Sequence, residues 1–232
     1  MEQLALDIRL AAHAVFASYH PGPNALAVAR LQQMVAGAGE RILWLWGAAG
    51  VGKTHLLQAS VAAAHGRGQR TAYLPLGELQ ALDPGVLAGL SGYEFVTLDD
   101  VGAVAGRPDW ERALLHLYEG LVAAGCRLAA TGAAPPAQLG FGLGDLASRF
   151  TAGGVFRLES LAEADCLLAL RRRAEWLGCT LPDETAQYLL TRADRRIGAL
   201  CALLDRLDRA ALAAQKRLTI PFVRAVLESA NS

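Results

Sequence analysis

The spacing of apolar residues along this chain changes near residue 160. Upstream, short solid apolar runs alternate with segments whose apolar positions recur at helical intervals. The runs Arg41 to Trp46, Arg70 to Leu74, Phe95 to Asp99, Arg127 to Thr131 and Val155 to Leu158 read as strands, nearly uninterrupted, as strands buried on both faces should be. Helical spacing covers Asn24 to Val35, Lys53 to His65, Pro108 to Ala124 and Asp145 to Ala152. This alternation predicts an α/β fold with a five-stranded parallel sheet flanked by helices. From Ala162 onward only the helical period persists, in Ala162 to Leu177, Pro182 to Arg192, Arg195 to Gln215 and Pro221 to Ser229. Gly178 supplies a stop and the two prolines sit at helix starts, so a small all-α bundle is expected. The expected organisation is a peptide at 1–10, an α/β domain at 11–159 and an all-α domain at 160–232.

Composition narrows the function. A chain of 232 residues can hold an α/β domain and a small helical one. Its 22 basic and 22 acidic residues cancel, so overall charge draws it to neither nucleic acid nor an anionic membrane. Cys126, Cys166, Cys179 and Cys201 lack metal-binding spacing and read as small buried residues in a reducing cytoplasm. Met1-Glu2-Gln3 lacks a basic leader, and no apolar stretch approaches the roughly 18 residues that span a bilayer, so no membrane role is expected. Arg171-Arg172-Arg173 is the only basic cluster; it would spread around a helix and reads as solvated surface. Trp44, Trp46, Trp110 and Trp176 read as core or partly buried packing residues.

The chemistry concentrates between the first strand and its helix. Gly47-Ala48-Ala49-Gly50-Val51-Gly52-Lys53-Thr54 fits the phosphate-loop pattern G-x-x-x-x-G-K-[ST], with His55 opening the helix. Backbone amides of the glycine turn and the positive helix end would converge on phosphates. Lys53 would reach the terminal phosphates and the Thr54 hydroxyl would face Mg²⁺. Lys53 is one of only two lysines, the other being Lys216, which argues against an incidental match. The third strand ends in Asp99-Asp100. Asp99 would hold Mg²⁺ through water, and Asp100 could orient or deprotonate an attacking water. Thr131 ends the next strand, where its hydroxyl could touch phosphate or water. Arg149 and Arg195 are unremarkable alone.

Together these residues resemble the AAA+ module of the bacterial initiator DnaA over nearly the whole chain. The shared features are the order of the two nucleotide motifs, Thr131-Gly132 before Pro135-Pro136, Leu146-Ala147-Ser148-Arg149-Phe150, and an arginine-bearing helix in a C-terminal bundle. With no DNA-binding helix-turn-helix expected beyond the bundle, the chain resembles the short DnaA-homologous regulators of the Hda kind. Phe16-Ala17-Ser18-Tyr19, Pro21-Gly22-Pro23-Asn24, Tyr73-Leu74-Pro75-Leu76 and the tail Arg217 to Val223 agree.

The resemblance implies a regulator of replication initiation that carries ADP or ATP with Mg²⁺ and triggers hydrolysis of initiator-bound ATP. It implies Gly47, Gly50, Val51, Gly52, Lys53, Thr54 and His55 at the nucleotide, and Thr54 and Asp99 at the metal. Thr131 takes a first sensor position, Arg149 that of an arginine finger acting in trans, and Arg195 that of a second sensor. Tyr19 and Pro21 line the base pocket. Initiators carry Asp-Arg where this chain has Ala133-Ala134, which points to weak or no hydrolysis by the chain itself. Gln3, Leu4, Leu6 and Ile8 match a Q-L-x-L pattern that resembles peptides docking on the β sliding clamp, with Asp7 a departure. Expected partners are therefore the initiator and the clamp, with DNA reached only through the clamp, and a homodimer is left open. The rival readings are a DNA-stimulated ATPase of the helicase-loader or transposition-helper type, and more remotely a kinase of a small metabolite.

Overall fold

The computed structural model of the chain describes residues 14–90 and 92–229. The expected clamp-binding peptide, Gln3 to Ile8, lies outside the described residues. The chain divides into two compact units. Pro23–Ala48 and Lys53–Glu159 build an α/β unit, whereas Ser160–Ser232 group with Ala17–Gly22 and Ala49–Gly52 in a helical unit. The change of period near residue 160 thus marks only part of the division, because the tip of the phosphate loop groups with the helices.

The α/β unit contains strands β1 (Ile42–Trp46), β2 (Thr71–Pro75), β3 (Phe95–Asp99), β4 (Arg127–Gly132) and β5 (Gly154–Arg157). All pairings are parallel, in the order β2-β3-β4-β1-β5. Helices α1 (Ala25–Val35), α2 (Lys53–His65), α3 (Leu76–Leu79), α4 (Pro108–Ala123) and α5 (Gly144–Thr151) complete it. Only α3 was unexpected, a single turn too short to show a period. β1 is solidly apolar because neighbours β4 and β5 place it inside the sheet, and Leu43, Trp44 and Leu45 are fully buried. The Trp44 indole needs Gly132 beside it, since a Cβ there would stand 2.6 Å from Cζ2. Its Nε1 donates to the Ala134 carbonyl (3.1 Å), and its ring meets Phe150 of α5 at 5.1 Å between centroids. That contact anchors α5; truncating Phe150 would cost about 3–5 kcal/mol.

The helical unit contains α6 (Glu163–Leu177), α7 (Asp183–Arg192), α8 (Ile197–Ala214) and α9 (Ile220–Ser229). Leu170, Leu189, Leu200, Leu204, Leu207 and Val223 form its core. Gly178 closes α6 in the left-handed region, at φ 73°. Two sequence expectations fail here. The arginine run is not uniformly solvated: Arg173 is only 3% exposed and makes a bidentate pair with Asp205, with Nε to Oδ1 at 2.8 Å. A partly buried acid on the facing helix makes this position acceptable, and a periodicity argument cannot see that partner. Trp176 is exposed at 40%, lying against the Arg173 guanidinium instead of entering the core. Among the described residues, no helix is long and apolar enough to cross a membrane.

Candidate nucleotide site

Parallel pairing sets the strand-end chemistry. Tyr73 of β2 stands beside Thr97, and Pro75 beside Asp99. Alternate residues of a strand share a face, so Tyr73 and Asp99 come to the same side of the sheet. Asp99 is 6% exposed and both of its oxygens are engaged. The Thr131 hydroxyl, fully buried on β4, donates to Oδ1 at 2.6 Å, and the Tyr73 hydroxyl donates to Oδ2 at 2.8 Å. Thr131 Oγ1 in turn accepts the Asp100 amide at 2.9 Å. Burial and the adjoining Asp99 carboxylate push the Tyr73 phenol far above its ordinary range, so it stays a donor. Thr131, expected to reach phosphate or water, here joins the two aspartates through its hydroxyl.

Asp100 adopts a left-handed backbone at φ 55°. Aspartate tolerates this region better than most residues, and here it aims the amide at Thr131 and leaves the side chain exposed. At the head of α2, Lys53 Nζ donates to the carbonyls of Gly47 (2.6 Å) and Ala48 (2.9 Å). Burial lowers its pKa, while Asp99 and Asp100 push it back up. Thr54 is exposed, and His55 Nε2 donates to the Val15 carbonyl (3.2 Å).

The helical unit holds the loop tip. The Gly198 amide, in the first turn of α8, donates to Gly50 O (3.1 Å). Gly50 and Gly52 both adopt positive φ, 81° and 99°. A Cβ on Gly52 would stand 2.7 Å from the Tyr19 ring, so only glycine fits against it. Tyr19 is buried, with its hydroxyl donating to Val51 O (3.4 Å) and its own carbonyl accepting from Arg172 Nη1 (2.8 Å). Pro21 is half-buried. Arg195, expected at a helix start, lies in the turn before α8, exposed; Arg196 is the N-cap residue. Asp194 makes that turn by accepting the Arg196 amide (3.0 Å) and Nε (2.8 Å). Those contacts hold its carboxyl down at about 2.

Arg149 sits near the end of α5. Its Nη2 donates to Glu119 of α4 (2.8 Å), its guanidinium lies 5.7 Å from the Tyr118 ring centroid, and the Tyr118 hydroxyl donates to its carbonyl (3.1 Å). The pair is half in water, at 35% and 49% exposure. Glu111 of α4, 1% exposed, fixes the start of α5. Its carboxylate accepts the amides of Gly106 (2.7 Å), Gly142 (3.0 Å) and Leu143 (2.7 Å). Sequence reasoning missed Glu111 and Glu119 because both look like ordinary helix acids. It missed the Tyr73 contact because that needs the strand order.

The residues present suit a magnesium nucleotide. The loop is a glycine turn where a Cβ is excluded at Gly52, with a lysine amine in its concavity. A threonine hydroxyl and a hydrogen-bonded carboxylate are the hard oxygen donors that Mg²⁺ takes, directly or through water. Thr54 and Asp99 would hold the metal.

Comparison with known proteins places this geometry. Residues 163–227 match the family described as Hda, lid domain. Domain III of the replication initiation protein DnaA from Thermotoga maritima is similar with a TM-score of 0.82 at 21% identity, covering 95% of this chain and 98% of that one. The chain shares the fold of DnaA domain III, and its C-terminal helices match the Hda lid family. AMPPCP-bound DnaA from Aquifex aeolicus is similar at TM-score 0.73 and 21% identity, over 85% of this chain and 66% of that one. The Thermotoga maritima RuvB Holliday junction branch migration motor is similar in fold more distantly, at TM-score 0.63 and 18% identity over 89% and 67% of the two chains. The matched segment runs from α6 into α9.

Proposed function

We propose that this AAA+ chain regulates replication initiation by presenting Arg149 in trans to ATP bound on a DnaA initiator, leaving the initiator in its inactive ADP form. The observation that carries the reading is Arg149 itself, an arginine on a short helix fixed at both ends. Its charge is half in water, paired with Glu119 and lying over the Tyr118 ring. An exposed pair of this kind contributes at most about 1 kcal/mol, so a phosphate of a neighbouring subunit can take the guanidinium from Glu119. Guanidinium charge delivered to a phosphoryl group in trans accelerates hydrolysis by about 10³–10⁵ in GTPase systems. The Hda-type lid and the DnaA-like fold support the choice of initiator as partner.

The chain's own nucleotide, ADP or ATP, binds at Gly47–Thr54. Nucleotide binding is supported by similarity to a DnaA bound to AMPPCP. Magnesium there supplies positive charge that neutralises phosphate oxygens. Lys53 exchanges its two loop carbonyls for phosphate, Thr131 and Asp100 keep Asp99 in place, and Tyr19 with Pro21 borders the base. Arg195 answers the nucleotide from the lid, and Gln3, Leu4, Leu6 and Ile8 dock on the sliding clamp. The test is hydrolysis of ATP already bound to the initiator, with this chain added and clamp loaded on DNA. Wild-type chain accelerates it only with loaded clamp, Arg149→Ala does not, and Gln3→Ala loses the clamp-dependent acceleration. Unchanged stimulation by Arg149→Ala would refute the assignment.

A second reading, an ATPase of the loader or transposition-helper type, draws on the retention of Lys53, Asp99 and Asp100. It predicts turnover of the chain's own ATP stimulated by single-stranded DNA, with no effect on the initiator.

A further inference from the structure

We infer that Tyr73 is a positioning residue of the magnesium site, bridging the phosphate-loop helix to the strand-end carboxylate so that Thr54 and Asp99 face one cation. The inference rests on the nucleotide reading above and concerns a residue that no phosphate-binding motif contains.

Tyr73 stands on β2, at the edge of the sheet next to β3. Its hydroxyl donates to Asp99 Oδ2 at 2.8 Å. The phenol oxygen, in turn, interacts with the side chain of Gln58 on α2. A carboxylate only accepts, so the phenol proton goes to Asp99 and the Gln58 amide must donate to the phenol oxygen. Gln58 follows Thr54 by four residues, one helical turn, on the same side of α2. The resulting chain runs from α2 through Gln58 and Tyr73 to Asp99, then through Thr131 to the Asp100 amide. It ties three strands and the loop helix into one hydrogen-bonded row.

Asp99 can still serve a metal under this arrangement. Its two oxygens offer about four lone-pair sites, of which Tyr73 and Thr131 take one each. Two hydroxyl donors fix the plane of the carboxylate, and a fixed carboxylate loses less rotational freedom when it accepts a metal or a metal-bound water. Without the phenol, Oδ2 would keep only bulk or site water as donor, and β2 would lose its polar tie to β3 at this level. Residues one step removed from a metal commonly change its affinity by about 10–100-fold when altered.

Binding of a fluorescent ADP analogue to the full chain, measured in Mg²⁺ and again in EDTA, tests this. Wild-type chain binds more tightly in Mg²⁺. Tyr73→Phe, which keeps the ring, should lose about tenfold of that magnesium-dependent gain and bind as wild type in EDTA. In an Asp99→Asn background, adding Tyr73→Phe should change nothing further, because the phenol acts through Asp99. A full magnesium gain in Tyr73→Phe would overturn the inference. So would an equal loss in EDTA, or additive losses in the double variant. A wild-type chain that binds no ADP in either condition would instead remove the nucleotide reading beneath it, while leaving the Arg149 test intact.

Discussion

Arg149 of α5 and Arg173 of α6 are both helical arginines bonded to a carboxylate on another helix, yet water treats them in opposite ways. The Arg173–Asp205 side chains are 4% and 19% exposed, whereas those of Arg149–Glu119 are 35% and 49% exposed. Desolvation makes the first pair a commitment: removing one partner strands a buried charge. Solvation makes the second replaceable, because water already screens both ends. Both pairs join a guanidinium to a carboxylate, and burial together with bidentate geometry separates a structural arginine from one able to change partners.

The largest expected effect would break the comparison if it failed. Arg173→Ala should destabilise the helical unit by about 3–5 kcal/mol in urea unfolding followed by helical signal, leaving Asp205 uncompensated. Glu111→Ala comes next in the α/β unit. Three amides lose a buried charged acceptor, so about 3 kcal/mol of stability should go. Stimulation of the initiator should fall with it, because the start of α5 is released. Thr131→Val keeps the shape but removes the donor to Asp99 and the acceptor of the Asp100 amide. A loss of about 1–3 kcal/mol is expected, read by the same unfolding curve. Glu119→Gln should sharpen the contrast from the exposed side, with a stability change under about 1 kcal/mol and a several-fold rise in stimulation as Arg149 is freed.

The smallest effect concerns Asp194, whose carboxyl is held at about 2 by the Arg196 side chain and amide. Its folded pKa lies below the ordinary 3.8, so the turn's contribution is present above that value and is lost as pH falls from there through about 2. Carboxylate titration by NMR should show Asp194 protonating well below the ordinary aspartate value of 3.8.

Local pattern carried most of the fold. The solid apolar run of β1 and the glycine–lysine loop opening α2 both speak through neighbouring residues, and the helix Lys53–His65 begins and ends where the sequence predicts. What pattern could not carry was any pairing between distant segments. Arg173 and Arg149 are equally ordinary in sequence, and only Asp205 and Glu119 with their surroundings distinguish them. Tyr73 reaches Asp99 because β2 and β3 are neighbours in parallel register, a fact of strand order. The grouping of Ala49–Gly52 with the helical unit likewise depends on contacts such as that of the Gly198 amide with Gly50. Arg195 was misplaced by a different cause: the Asp194 side chain takes the Arg196 amide and delays the start of α8 to Ile197.

The most direct test sets the two arginines against each other in one preparation, measuring hydrolysis of initiator-bound ATP beside urea stability. The account predicts that Arg149→Ala unfolds within about 1 kcal/mol of wild type and gives no stimulation. Arg173→Ala should be strongly destabilised and, where still folded, should stimulate. An Arg149→Ala chain that stimulates as wild type would contradict it.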